Sequence, residues 1–298
     1  MILIAAMLLD AAVGEPRWLW NRVTHPAVLI GRVIGWADER FNTDPHRKLR
    51  GVLLVIALLV GSIVIGSFLA AHGGLVEALA AAILLAQRSL ADHVAAVGRA
   101  LRLSTVSGRA SVAQIVGRDT SAMDGPAVAR AAIESGAENL SDGVIAPAFW
   151  FLIGGLPAML AYKAINTADS MIGYRTPRHA EFGWAAARFD DVLNLIPARL
   201  TALLLCIGGR HWPDWRALAH DARTHRSPNA GWTEAAMARA LGIALSGPRS
   251  YHSQMRDFPW VNATGKRDAG PAQIGQAVRL LWRAWGLMVL ATALITLA

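Results

Sequence analysis

Residues 51–71, GVLLVIALLVGSIVIGSFLAA, run without a single charged side chain. At about 1.5 Å per residue, a helix of that length spans roughly 30 Å, the thickness of a bilayer's hydrocarbon core. A backbone in hydrocarbon must satisfy all its N–H and C=O groups internally, so only helices and closed barrels cross a bilayer. No alternation of apolar and polar residues stands out along the chain, which leaves the helix. A buried helix of a large soluble protein is the competing explanation, and composition argues against it. Of 298 residues, 54% are hydrophobic and 17% are charged, against roughly 25% charged in an ordinary soluble domain. This is the sequence of an integral membrane protein.

Further apolar segments lie at about 75–90, 144–161, 193–207 and 280–298. The His72-Gly73-Gly74 break allows a tight return, which predicts a helical hairpin over 51–90. Residues 91–142 are wetter: Leu90, Val94, Val97 and Leu101 make an amphipathic stripe, and Asp124-Gly125-Pro126 opens another helix with proline in its first turn. Met1 to Val13 is apolar but short, contains Asp10 and lacks the basic lead of a signal peptide. It predicts a retained membrane-embedded or interfacial helix that ends at Gly14-Glu15-Pro16. Cys206, the sole cysteine, sits in an apolar run as a packing residue. The expected class is all-α: a polytopic membrane protein with about 4–5 transmembrane helices, amphipathic or re-entrant helices and a helical cytoplasmic region. It is expected to be one domain over 1–298, with soluble-facing insertions at about 91–142 and 210–279.

The formal charge of +8 comes from basic residues clustered before the first span, Arg17 to Arg50, and again from Arg210 to Arg279. The positive-inside rule places both clusters in the cytoplasm and His72 to Gly74 on the opposite side. No nucleic-acid recognition motif accompanies them, so no nucleic-acid partner is expected; an acidic small substrate is the reading kept beside the topological one.

Polar side chains crowd against apolar runs in two places, ENLSDGVIAPAF (138–149) and YKAINTADSMIGYR (162–175). Such groups are costly beside a bilayer unless paired or used. If 144–161 were one full crossing, the two runs would face opposite sides. Pro147, Gly154-Gly155 and Pro157 instead suit a kinked or re-entrant element, with both runs converging on a polar cavity.

Arg130, Glu134 and Glu138 lie four apart, the spacing of simple helical ion pairs. Glu138 and Asn139 with Ser141 and Asp142 exceed what an N-cap needs, although Ser141 or Asp142 could cap the next helix. Lys163, Asn166 and Asp169 fall within roughly 120° on a helix; a lysine there can also snorkel to the interface. Asp190 and Asp191, with Asn194, form a second oxygen-rich group, and such oxygens are hard ligands suited to Mg²⁺ and phosphate. In HRSPNAGWTE (225–234), His225, Arg226 and Asn229 offer donors to a carboxylate or phosphate, Ser-Pro-Asn-Ala-Gly is turn chemistry, and Thr233 with Glu234 can cap the following helix. No Walker or Rossmann glycine motif and no nucleophile elbow occurs.

Several blocks together resemble the CobD/CbiB family of cobalamin-biosynthesis membrane proteins: LLDAAVGEPRW, THPAVLIGRVI, GRDT, AAIESGAENLSDGVIAPAFW, YKAINTADSMIGYR, FGWAAARFDDVLNLIPARLT and HRSPNAGWTEAAMA. The resemblance runs from about Leu9 to Gly247. It implies an adenosylcobinamide-phosphate synthase, which joins a free propionate of (adenosyl)cobyric acid to (R)-1-amino-2-propanol or its O-phosphate. ATP and Mg²⁺ come from the resemblance, as does a partner, a soluble pyridoxal-phosphate threonine-phosphate decarboxylase, for which the Trp212–Trp232 region is the expected dock. Localisation in the inner membrane with a cytoplasmic active site follows, and an oligomer is compatible with it. Beside that chemistry, Glu134, Glu138, Asp142 and Lys163 are the catalytic candidates. Asn139, Ser141, Asn166, Arg175, Arg188, His225, Arg226 and Asn229 are the binding candidates, and Asp169, Asp190 and Asp191 are the metal candidates. A corrinoid transporter or membrane anchor is the alternative from another class.

Overall fold

The structure, a computed structural model, describes residues 1–210, 212, 214–251 and 254–297, without the side chains of residues 17, 249–251 and 254–256. Arg17, Arg249 and Arg256 of the basic clusters therefore lie outside the described side chains.

Helices carry the fold. They are α1 (Ile2–Val13), α2 (Arg17–Trp20), α3 (Pro26–Phe41), α4 (Arg47–Ala71), α5 (Gly74–Leu84), α6 (Gln87–Leu103), α7 (Thr105–Val112) and α8 (Gly125–Leu140). A π-helical turn, Ser141–Ile145, leads into α9 (Ala146–Ile172), followed by α10 (Trp184–Leu193), α11 (Leu195–Gly208), α12 (Trp215–Ala222), α13 (Ala230–Leu241) and α14 (Pro271–Leu297). Among the described residues, strands are confined to two antiparallel ladders of two or three residues a side, β1 (Leu245–Ser246) with β4 (Trp260–Val261) and β2 (Arg249–Tyr251) with β3 (Gln254–Arg256).

Among the described residues, four stretches are long and apolar enough to cross a membrane: Arg47–Ala71, Gly74–Leu103, Gly125–Ile172 and Pro271–Leu297. A fifth arises if Trp184–Leu193 and Leu195–Gly208, bent by 45°, count as one span. The charge-free run lies within α4, after its basic first turn, and the chain turns at Gly73, whose φ of 100° suits glycine. The N-terminal apolar segment is the expected helix, closed by Gly14, whose N–H bonds the Asp10 carbonyl. The 75–90 segment is not one helix: it stops at Leu84 and restarts at Gln87.

Two compact units form. The first combines Met1–Ala86, Asp142–Leu195 and Thr292–Ala298; the second combines Gln87–Ser141 and Ile196–Ala291.

In the first unit α4 lies along α9. A Cβ added at Gly66 would sit 2.5 Å from the Pro157 Cα, so the two backbones touch. Such contact matters in lipid, where dispersion between close helices replaces the hydrophobic drive. Ile34, Val55, Ile165, Ala168, Ile172, Phe182 and Ala186 form a buried cluster joining α3, α4, α9 and α10.

The course of α9 settles the choice between a crossing and a re-entrant element. Gly154 and Gly155 leave helical geometry, Gly155 at φ 64°. The Tyr162 hydroxyl donates to the Asp142 carbonyl at 3.3 Å. Twenty residues of straight helix would separate those positions by about 30 Å, so the chain doubles back at the glycine pair.

The second unit packs α6 against α7 and α8. Val94 and Val97 of the stripe are fully buried, while Leu90 and Leu101 are partly covered. Asp124 caps α8, its carboxylate accepting the Ala127 N–H at 2.7 Å, and Pro126 occupies the first turn.

Candidate functional site

In the first unit the doubling back gathers the polar groups. Ser141 and Asp142 do not cap a new helix; they belong to the π-helical turn that carries α8 into α9. A π turn widens the helix locally and re-aims its side chains, a frequent device at functional sites. Asp142 comes within electrostatic reach of the Lys163 ammonium, as does Glu15. The two polar runs thus meet at Asp142, Tyr162 and Lys163.

One helical step further along α9, Asn166 donates its amide N–H to Asp190 Oδ1 at 3.2 Å. Asn194 donates to Asp190 Oδ2 at 3.0 Å and accepts from the buried Tyr162 hydroxyl at 2.9 Å. Tyr162, Asn194, Asp190 and Asn166 therefore form one hydrogen-bonded chain between α9 and the α10–α11 corner. It holds Asp190 by both oxygens. Asp169, partly exposed on the same face of α9, lies within electrostatic range of Asp190 and Asp191. Asp191 is itself paired with Arg188 at 3.2 Å. Arg175 is exposed in the loop after α9.

Among the described residues, no group of three or more His, Cys, Asp or Glu side chains could hold a metal ion. An all-protein cage is therefore not what these carboxylates make. Mg²⁺ is usually held by one or two carboxylates and completes its octahedron with waters and phosphate oxygens. The donor set fits that mode: the partly exposed Asp169 and the carbonyl oxygen of Asn166 are the direct ligands on offer, with Asp190 as the buried brace behind them.

The loop after α9 is anchored to α3. Asp38 accepts from Arg178 at 2.7 and 3.0 Å, from Asn42 at 2.7 Å and from His179 at 3.4 Å. Burial alone would raise the Asp38 carboxyl, but these donors outweigh it and hold the group below the usual carboxylate range.

The second unit holds the other candidates. Glu134 is buried, with Oε2 on Arg118 at 2.9 Å and Oε1 accepting the Ser246 N–H at 2.7 Å. Both oxygens are committed to structure, which sets Glu134 apart from the exposed Glu138. Asn139 is exposed and donates to the Ser135 carbonyl at 2.9 Å, while Ser141 is buried.

In the 225–234 corner, α13 starts at Ala230, so Thr233 and Glu234 lie inside its first turns rather than ahead of it. The Ser227 hydroxyl accepts the Asn229 and Ala230 N–H groups at 3.2 Å each, because the turn brings Ser227 to the helix start. Thr233 instead donates to the Ala230 carbonyl, and Glu234 is buried 3.7 Å from His225 Nε2. His225 Nδ1 accepts the Ser227 N–H at 3.1 Å, and Asn229 is buried against Arg199 at 2.8 Å. Arg226 alone of the three binding candidates here is exposed.

Sequence reasoning passed over Tyr162 and Asp38 as site residues. A tyrosine beside an apolar span reads as packing or an interfacial anchor, and Asp38 carries no local motif. The signal available for Tyr162 was its place one residue before Lys163 in the second polar run.

The family model described as CobD/Cbib protein matches residues 3–281. The cobalamin biosynthesis protein CobD of Brucella suis is 49% identical over 319 aligned positions, covering 100% of this chain and 98% of its own length. Those of Rhizobium meliloti and Rhodobacter capsulatus are each 46% identical, covering 98% and 99% of this chain and 95% and 96% of their own lengths. No solved structure matches. Similarity at this level across whole chains leaves one conclusion: the chain belongs to the CobD/Cbib family.

Proposed function

We propose that this protein acts in cobalamin biosynthesis as an ATP-dependent amide-forming ligase. It joins the free propionate of a cobyric-acid-type corrinoid to 1-amino-2-propanol or its O-phosphate. The observation that carries the proposal is the convergence of Asp142, Lys163, Asn166, Asp169 and the braced Asp190 in one unit. An unactivated carboxylate is a poor electrophile, so the enzyme must hold ATP phosphates and stabilise the negative charge that develops at the acyl centre.

Lys163 is suited to an anionic oxygen of nucleotide or intermediate. Asp169 and Asn166 would hold Mg²⁺, which neutralises phosphate charge when bound. Asp142 can orient the incoming ammonium; in the second unit, Glu138 is exposed whereas Glu134 is committed to Arg118 and the Ser246 N–H. Arg175 and Arg188 are exposed cations for substrate carboxylates or phosphates, with Arg226 and Asn139 as candidates in the second unit. The active site is assigned to the cytoplasmic side of the inner membrane, where ATP is available.

The test is ATP cleavage by the purified protein. Cleavage that requires corrinoid and amine together, with one amide formed per ATP consumed, supports the ligase. Corrinoid binding without ATP cleavage under those conditions assigns the protein to corrinoid presentation or transport and overturns it.

A further inference from the structure

The positive-inside bias explains why arginines collect on one side of a membrane protein. It does not explain two that share a cleft. In the second unit, the ends of α11 and α13 and the first half of α14 flank a cleft of about 380 Å³ lined by Gly209, Leu241, Gln276, Arg279, Leu280 and Arg283. Among the described residues, no carboxylate lines it.

Arg279 and Arg283 stand four apart on α14, so they are neighbours on one helical face. Both are exposed, and neither joins an ion pair among the described residues. Arg283 is steadied by donating to the Gly208 carbonyl at 3.3 Å. Like charges at this spacing oppose the helix, and an anion between them reverses the sign. The planar guanidinium fork matches phosphate oxygens in particular.

Depth identifies the source of that phosphate. After Arg283, α14 continues AWGLMVLATALITL without a charge, and α11 reaches Gly208 through LTALLLCIG, also without one. The two helices meet at this level: a Cβ on Gly208 would lie 3.3 Å from the Arg283 Cβ. Trp282 and Trp285, edge to face at 5.4 Å, flank Arg283, as aromatic belts do at the boundary of the hydrocarbon. The cleft therefore opens at the level of lipid headgroups, with apolar Leu241 and Leu280 beside it for the start of an acyl chain.

We propose that this cleft binds the phosphate of an anionic phospholipid, gripped by Arg279 and Arg283. The site stands on the geometry of the second unit alone and does not depend on the ligase chemistry.

The test uses the full chain in a neutral detergent, with thermal unfolding measured against short-chain phosphatidylglycerol, short-chain phosphatidylcholine and inorganic phosphate. A ligand that binds only the folded protein raises its Tm. Phosphatidylglycerol is expected to raise Tm and phosphatidylcholine to leave it unchanged. Arg279→Gln/Arg283→Gln should weaken the apparent phosphatidylglycerol affinity by at least about ten-fold, as expected when charged hydrogen bonds are lost. Arg279→Gln alone, which removes no hydrogen bond of the fold among the described residues, should weaken it in the same direction. Equal shifts from the two lipids, or undiminished phosphatidylglycerol affinity in Arg279→Gln, overturn the proposal. Saturation by inorganic phosphate at the lipid's own effective concentration assigns the cleft to a free phosphate and overturns the lipid source.

Discussion

At the residue scale, the Asp190 carboxylate is the fixed point of the first unit. Two amide side chains, Asn166 and Asn194, donate to it, and the Tyr162 hydroxyl holds Asn194 in turn. A buried network of this kind defines one geometry when every member is satisfied. Tyr162→Phe removes the hydroxyl and leaves Asn194 Oδ1 without that donor, which costs about 1–3 kcal/mol for a buried group. The predicted outcome is a lower Tm and a turnover reduced by roughly ten-fold through misplacement of Asp190, checked by calorimetry and by amide-formation kinetics on one preparation. A loss confined to Tm, with turnover per folded molecule unchanged, would remove Tyr162 from the site.

At the element scale, two features position the chemistry: the glycine break in α9 and the loop between α9 and α10. The loop is pinned through Asp38, whose carboxyl is held below the usual carboxylate range by Arg178, Asn42 and His179 against the opposing effect of burial. A group whose folded pKa is depressed stabilises fully above its unfolded value, about 3.9 for aspartate, and loses that contribution as pH falls through the folded value. Protection factors of residues 173–183, corrected for the intrinsic pH dependence of exchange, should therefore fall on acidification below about pH 4. In Asp38→Asn they should be lowered already at neutral pH and change little with acid. Identical exchange profiles in the two proteins would remove Asp38 as the anchor.

These elements also show what could be read from the chain. The charge-free run became α4 because bilayer thickness and helical rise fix its length, and the stripe at Val94 and Val97 became a buried face for the same periodic reason. Lys163, Asn166 and Asp169 share a helical face, which spacing alone dictates. Their partners could not be read. Glu134 sits at the right spacing for a local ion pair, yet its carboxylate meets Arg118 and the Ser246 N–H, contacts that only the folded chain defines. Asp38 reaches Arg178 across 140 residues, and no local pattern records such a pairing.

At the scale of the whole molecule, we propose from positive-inside counting that residues 14–50 and 210–279 face the cytoplasm. With the buried Cys206 replaced, a cysteine at Gly74 should react only with a probe applied from the opposite side. Labelling from the cytoplasm alone would invert the α4–α5 hairpin.

The second unit exposes Trp212 at 81% and Trp215 at 40%. Arg199 stacks on Trp232 at 4.9 Å, and Arg223 and Arg226 are exposed nearby in sequence. Tryptophan and arginine dominate interface hot spots, and we propose this surface as the dock for the soluble pyridoxal-phosphate decarboxylase that makes the phosphorylated amine. Trp215→Ala/Arg216→Ala should abolish co-purification in moderate salt. Association at micromolar concentration that survives the double variant would move the dock elsewhere.

The central claim is that the polar groups gathered by the return of α9 form an amide-bond catalyst. The most direct measurement is the rate at which purified protein joins corrinoid carboxylate to amine in the presence of ATP and Mg²⁺, compared between the unaltered chain and Asp169→Asn. The account predicts a loss of at least about 100-fold, on the scale of removing one preorganised charged group, with helical content unchanged and Mg²⁺ affinity in the presence of ATP weakened. A rate within about two-fold of the unaltered protein, with the same Mg²⁺ dependence, would contradict it.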